Sequence, residues 1–388
     1  MISALKLQAL VLGVFSFFFL TILPQVFGME GLSFEFKATA LAGINGLSGN
    51  SVLNPGNRFA RLPDQESNIT LKPDMSFACE DWLFYAKPRL EVSMENYEIN
   101  GESDDVFDKN ADIPEFMVRR KLTESLFVSY GRENLQWGPG FLYSPSNPFF
   151  NDNGKKSLVQ DLDGKGMLKL IMVHDEAFAA SLIYNTDKGT FNEPDFEKTL
   201  AMKIDYSGDT GYASLVISHT DHGKSKLGGF AGTTLTDALI VYGETSIQKE
   251  TETLYPAAVP GPLTRDMTAL KNNGDLYAVL LLGATYTLES GDSLCLEYLY
   301  YGDGLDFLRQ NYIMLQYLID DVMGSIDLVS RATVCLDDGS SRLYAALSRE
   351  LNDHMELKLG WMVNTGGTDD SFRTYLDYQV QAALEYTY

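Results

Sequence analysis

The sequence predicts an all-β fold, a transmembrane antiparallel β-barrel of roughly 16 or 18 strands with low helix content. Three observations carry this expectation. Apolar and polar residues alternate with a period of two along nearly all of the chain after residue 28. Many alternating runs extend over roughly 9 to 12 residues, long enough to cross a bilayer at a tilt, where strands of soluble sheets average about five or six. Connections fall into two lengths, tight turns of Gly, Asp, Asn and Ser and long polar loops, the asymmetry of a barrel with short periplasmic turns and long outer loops.

In chain order the candidate strands lie near 32–41, 76–86, 88–98, 115–122, 124–132, 166–174, 177–186, 199–207, 211–220, 236–247, 275–287, 292–301, 312–319, 325–336, 341–350, 354–364 and 374–387. That is about 17 segments, which the even strand number of bacterial barrels turns into 16 or 18. The first sets Leu32, Phe34, Phe36 and Ala38 against Ser33, Glu35 and Lys37. Leu200, Met202, Ile204 and Tyr206 oppose Lys203 and Asp205, and Ile326, Leu328, Ala332 and Val334 oppose Asp327, Arg331 and Thr333. Met355, Leu357, Leu359, Trp361 and Val363 oppose Glu356 and Lys358. The last run alternates Leu376, Tyr378, Val380, Ala382, Leu384, Tyr386 and Tyr388 with Asp377, Gln379, Gln381 and Glu385. Tyrosines gather at strand ends, among them Tyr298, Tyr300, Tyr301, Tyr375 and Tyr386, positions that suit an aromatic girdle at the lipid interface. Tight turns are expected at 207–210, 290–292, 337–340 and 352–353, and long polar connections at 42–75, 133–165, 221–235 and 246–274.

The 388 residues carry 53 acidic and 30 basic side chains, a formal net charge of −23. Such a balance repels phosphates and excludes nucleic acid as a partner. Hydrophobic residues make up 45% of the chain and aromatic ones 12%, ample surface to bury, so disorder is excluded as well. At roughly 150 residues per domain the length allows two or three domains. No shift of composition marks a boundary, and residues 29–388 read as one barrel domain.

Residues 1–28 have Lys6 as their one charged side chain and an apolar run from Leu7 to Leu23, followed by Pro24 and Val26-Phe27-Gly28. This pattern predicts a secretory signal peptide cut after Gly28, with a retained anchor as the alternative. The most apolar later window, 276–288, is broken by Gly283 and Thr285 and is too short for a spanning helix, which takes about 20 residues. Cys79, Cys295 and Cys335 allow one disulfide at most.

Signals for chemistry are weak. His219 and His222 stand three apart, which a strand sends to opposite faces. Asp161-Leu162-Asp163-Gly164, with Asp152 upstream, begins like a calcium loop but lacks the later ligands, and a plain turn is the better reading. Ser218 beside His219 is too generic for a hydrolase. No enzyme activity, metal or cofactor is expected.

The lumen is more informative. The alternation points Glu35, Asp205, Glu297, Asp327, Glu356, Asp377 and Glu385 inward with Lys37, Lys203, Arg331 and Lys358. Burying so many charges dry costs several kcal/mol each, so the interior is expected to be wet. Its carboxylate surplus predicts a passage for small polar solutes with a weak preference for cations; the blander alternative is a lumen filled by ion pairs and loops. The segment 130–150 breaks the alternation. Its Gly and Pro residues interrupt any ladder, while Trp137, Phe141, Tyr143, Phe149 and Phe150 are too apolar for a solvated loop. It is expected to fold into or across the lumen as a constriction, with Arg132 reaching carboxylates opposite, or to present aromatic faces to a sugar.

Two resemblances follow from these residues. The amphipathic last strand ending in Tyr388 resembles the C-terminal signal by which outer-membrane barrels are recognised by their assembly machinery. Arg132, Trp137, Gly138, Pro139, Gly140, Tyr143, Asn147 and Pro148 lie in a stretch that resembles the conserved region of Wzi-type capsule-assembly barrels, and more loosely that of porin-like and polysaccharide-export barrels. The helical bundle of a Wzi-type protein has no counterpart in the reading, so the porin-like superfamily is the family expected. The resemblance implies a non-enzymatic outer-membrane diffusion channel, with surface polysaccharide binding, assembly or export as the alternative. Outer-membrane lipid, the assembly machinery and small polar solutes or polysaccharide are the partners implied.

Overall fold

A computed structural model describes residues 31–388 apart from 49–50, 52–53, 59, 100, 151–156, 160–161, 187–197, 222–224, 250–251, 256–268, 273–275, 303–308 and 323. The expected signal peptide lies outside the described residues, as do Asp152, Asp161 and His222. The strands are β1 (Leu32–Leu47), β2 (Gln65–Cys79), β3 (Trp82–Ile99), β4 (Glu102–Thr123), β5 (Leu126–Glu133), β6 (Lys165–Val173), β7 (Phe178–Asn185), β8 (Thr199–Ser207), β9 (Gly211–Thr220) and β10 (Ser225–Thr236). They continue as β11 (Leu239–Lys249), β12 (Glu252–Tyr255), β13 (Ala269–Asn272), β14 (Leu276–Thr287), β15 (Ser293–Tyr301), β16 (Asn311–Val322), β17 (Ile326–Cys335), β18 (Ser341–Asn352), β19 (Met355–Thr365) and β20 (Leu376–Thr387). One 3-10 turn, Pro55–Asn57, is the sole helical element among the described residues.

Eighteen strands form one antiparallel sheet, and β12 and β13 pair separately as a small hairpin. Each barrel strand pairs with its sequence neighbour, and β1 closes the cylinder against β20 in the register Leu41↔Ala383. Closure leaves no edge within the wall, which is what a spanning sheet needs where no water can satisfy backbone groups. Phe36 and Tyr388 exchange both backbone hydrogen bonds at the seam, 3.0 and 2.9 Å.

The period-two pattern settles the faces. In β8, Leu200, Met202, Ile204 and Tyr206 are exposed to the outside, while Thr199, Ala201, Lys203 and Asp205 point to the interior. In β20, Tyr378, Val380 and Leu384 face outward and Asp377, Gln381 and Ala383 inward. Tyr130, Tyr184, Tyr206, Tyr286 and Tyr378 stand exposed near the ends of outward faces. Tyr301 departs from the expected girdle: it occupies an inward position and is buried in the interior.

Four sequence expectations are corrected. The segment expected at 76–86 is the end of β2, a turn with Glu80 at φ 49°, and the start of β3, so one strand becomes two. The connection expected at 42–75 shrinks to 48–64, because β1 and β2 both run on past the predicted limits. The loop expected at 221–235 is mostly β10; Gly228 and Gly232 take inward positions and Gly229 an outward one, so the alternation is interrupted on both faces. Gly232 lies under the Tyr212 ring, whose Cζ is 2.5 Å from where a Cβ would sit. The connection expected at 246–274 keeps β11 going to Lys249 and contains the β12–β13 hairpin.

Candidate functional site

The interior is divided by the described residues of the connection from the end of β5 to the start of β6, 134–150, 157–159 and 162–164. Gly138, at φ 73°, turns this loop inward so tightly that a Cβ there would lie 2.2 Å from Glu244 Oε2. Two inward carboxylates of the far wall then hold it. Glu244 on β11 is 1% exposed; its Oε1 accepts hydrogen bonds from Ser144 Oγ (2.6 Å), Ser146 N–H (2.9 Å) and Ser146 Oγ (2.6 Å). Glu297 on β15, also 1% exposed, accepts from the Phe141 and Leu142 N–H groups at 2.7 and 2.8 Å and from the Tyr242 hydroxyl at 2.8 Å. Hydrogen bonds to a charged group contribute about 1.5–3 kcal/mol each, enough to offset much of the cost of burying the carboxylates.

Around these anchors Leu142, Tyr242, Val279, Leu281, Leu299, Tyr301, Tyr312 and Met314 form an apolar cluster, with Phe141, Tyr143 and Phe372 packed against it. One side of the lumen, along β11 to β17, is therefore filled. Phe372 comes from the 366–375 connection, which also turns inward; its Ser371 donates N–H and Oγ hydrogen bonds to Asp338 at 2.9 and 2.8 Å.

The remaining side is open and polar. Leu158 lies against Gly360 of β19, and Asp163 forms a 2.8 Å ion pair with Arg89, which also binds Asp112 at 3.1 Å. Cavities of about 500 and 250 Å3 flank Leu158 and Val159 on either side. The larger, toward the short-turn end, is lined by Lys37, Lys72, Asp74, Lys87, Arg89 and Glu385 among others; Thr39, Glu66, Asn68 and Gln381 line the smaller. Most charges along this wall are paired: Lys87 with Glu115 at 2.7 Å, Lys358 with Glu356 and Glu385 at 3.1 and 3.2 Å, and Lys37 with Glu35 at 3.3 Å.

The residues expected in the lumen, Glu35, Asp205, Glu297, Asp327, Arg331, Glu356, Lys358 and Asp377, all occupy inward register positions. They do not form one site. Asp205 pairs with Lys203 and accepts from Ser214, Arg331 donates to Gln316 at 2.6 and 2.9 Å, and Asp377 binds Arg373 at 2.8 Å. Asp327 sits at the short-turn mouth, where it accepts from the Asp321 N–H at 3.1 Å. Glu297 is a loop anchor rather than an open lining charge.

Arg132 lies at the end of β5 with its Nη1 buried. The alternation of β5 puts it in register with Val128 and Tyr130, and its neighbour Glu133 meets Lys169 at 2.5 Å. Trp137 offers no open ring: Phe149 meets it edge-on at 5.6 Å and the Lys203 ammonium lies 5.3 Å from its centre. Tyr143 is enclosed by Phe150 and Tyr301 at 4.9 and 5.4 Å. Gly140, buried, approaches the Tyr143 carbonyl, Pro139 and Pro148 flank the inward turns, and Asn147 donates to the Leu135 carbonyl at 2.6 Å. Reading the sequence missed Glu244, Arg89 and Asp112. Glu244 alternates with the inward Tyr242 and Ser246, a signal masked by Gly243 and Thr245 at its sides.

No protein-family model matches the chain, and no curated protein is similar to it in sequence. Solved structures match its whole architecture. OccK7 (OpdD) of Pseudomonas aeruginosa superposes with a TM-score of 0.58 at 11% identity, over 92% of this chain and 98% of that one. OccAB3 of Acinetobacter baumannii gives 0.58 at 11%, over 93% and 100%. Wzi, an outer-membrane protein involved in group 1 capsule assembly in Escherichia coli and a carbohydrate-binding β-barrel, gives 0.52 at 12%, over 90% and 83%. The chain thus has the fold of outer-membrane β-barrels, with the porin-like resemblance expected from its sequence.

Proposed function

We propose that the chain is a non-enzymatic outer-membrane channel through which small polar solutes diffuse between the 134–164 loop and the wall formed by β1–β4, β19 and β20. One observation carries the reading: the loop is pinned to the far wall by Glu244 and Glu297, and cavities of about 500 and 250 Å3 lined largely by polar side chains remain on both sides of Leu158 and Val159. A barrel with these solved neighbours and this internal constriction fits passive diffusion. The preference for cations is weak, because most lining charges are neutralised in pairs and only the small surplus of carboxylates acts on ions.

Purified protein in a planar bilayer is the test. Ohmic conductance steps with a small cation-selective reversal potential in a salt gradient are expected, and Glu66→Gln with Asp74→Asn should move that potential toward zero. Steps absent from a folded, heat-modifiable barrel would sink the channel reading. Polysaccharide binding, the alternative, draws support from the Wzi-like fold, while the enclosed rings of Trp137 and Tyr143 stand against it. Loss of retention on a capsular-polysaccharide column by Trp137→Ala would restore it.

A further inference from the structure

The outward face of β2 to β5 changes character at its short-turn end. Phe77, Phe84 and Trp82 stand in a row there, with ring centres 6.3 Å apart for Phe77 and Phe84 and 5.9 Å apart for Phe84 and Trp82. The row ends on a cation: Trp82 is the register partner of Arg120, whose guanidinium carbon lies 5.0 Å from the Trp82 ring centre. The alternation of β4 turns Arg120 outward with Val118 and Leu122, and its register partner on β5 is Val128. A guanidinium therefore sits on the face that meets lipid. Such a charge is tolerated close to an interface and not at the midplane. Arg120 is three residues from the end of β4 at Thr123, about 10 Å of strand, and the exposed Glu80, Asp81 and Glu124 of the adjoining turns lie just beyond.

Charge decides what covers this corner. The inward cations Lys87, Lys169 and Lys358 each meet a carboxylate. Glu124 is taken by Lys121 at 2.6 Å, and among the described residues no carboxylate pairs with Arg120. The corner thus offers one uncompensated positive charge stacked on an indole, with two further rings beside it. A guanidinium presents parallel N–H donors that match two oxygens of a phosphodiester, and its stacking on Trp82 holds the fork in place. We propose that Arg120 and Trp82 form a headgroup site for an anionic phospholipid of the periplasmic leaflet. The guanidinium takes the phosphodiester, and the rings of Trp82, Phe84 and Phe77 lie along the glycerol and the upper acyl chain. A free phosphate would leave those rings uncovered. The site rests on the outer-membrane reading of the barrel and not on conduction through it.

The test is native mass spectrometry of the folded full chain in detergent, mixed with equal amounts of phosphatidylglycerol and phosphatidylcholine of the same acyl chains. One phosphatidylglycerol per barrel is expected to survive collision energies that strip phosphatidylcholine. Arg120→Gln should reduce that adduct about fivefold, and Trp82→Leu should weaken it as well. Arg349 is the control: it is exposed near the short-turn end of β18, shares the outward alternation of Leu343, and stacks on no ring among the described residues. Arg349→Gln should leave the adduct unchanged. Heat-modifiable mobility and bilayer conductance of Arg120→Gln should match the parent, so failure here is separate from failure of the channel reading. Equal retention of the two lipids by the parent overturns the proposal, as does parental retention by Arg120→Gln or Trp82→Leu. An equal fall for Arg349→Gln overturns it by reducing the contact to general charge attraction. Displacement of the lipid by excess ammonium phosphate overturns it in favour of a free anion.

Discussion

At the scale of single residues, two carboxylates and one glycine hold the constriction. Glu244→Ala removes three hydrogen bonds, and Glu297→Ala removes the acceptor of two loop N–H groups and one tyrosine hydroxyl. Each buried donor left without a partner costs about 1–3 kcal/mol. Either variant should therefore loosen the loop without unfolding the barrel, and single-channel recordings should show larger steps with broader amplitudes. In the turn between β17 and β18, burial pushes the Asp338 carboxyl up, but hydrogen bonds from Ser340 and Ser371 outweigh this and hold it below the ordinary carboxylate range. With a depressed folded value, its contribution is present above the unfolded value of about 3.9 and is lost only as pH falls through the folded one. Hydrogen exchange should accordingly show the 366–375 connection still protected near pH 4, and Asp338→Asn should abolish that protection at neutral pH.

Elements obey the same logic one level up. Strand faces were legible in the sequence because side-chain direction follows from a period of two and needs no knowledge of neighbours. In β8 the outward Met202 and the inward Lys203 differ by one position and by solvent. Met202→Lys should cost about 2–4 kcal/mol near the bilayer midplane, read as a lowered urea midpoint for folding in lipid vesicles. β10 escaped the pattern for a tertiary reason: Gly228 must clear Ser146 of the inward loop, whose Cα would be 2.8 Å from a Cβ, so part of its face carries no side chain. The β2–β3 turn escaped because both strands are longer than the predicted segments and their alternation runs up to the turn itself.

For the whole molecule, closure is the governing event. β1 and β20 are the ends of the described chain, and the barrel is complete only when they meet. Deleting Tyr388 removes the hydrogen-bond pair with Phe36 at the seam. The deletion should lower the folded, heat-modifiable fraction in membranes while leaving the conductance of barrels that do close unchanged. If recognition of β20 by an assembly machinery adds to this, the loss in cells should exceed the loss on refolding in vitro.

The sequence by itself determined the all-β class, the near-continuous wall of spanning strands and the direction of Glu35, Asp205, Glu356, Lys358 and Asp377, since each depends on residues within one strand. Only the tertiary structure decided what those side chains do. Glu297 meets Phe141 across 156 positions of sequence and Glu244 meets Ser146 across 98, so the filled and open sides of the lumen are set by contacts that no local period encodes.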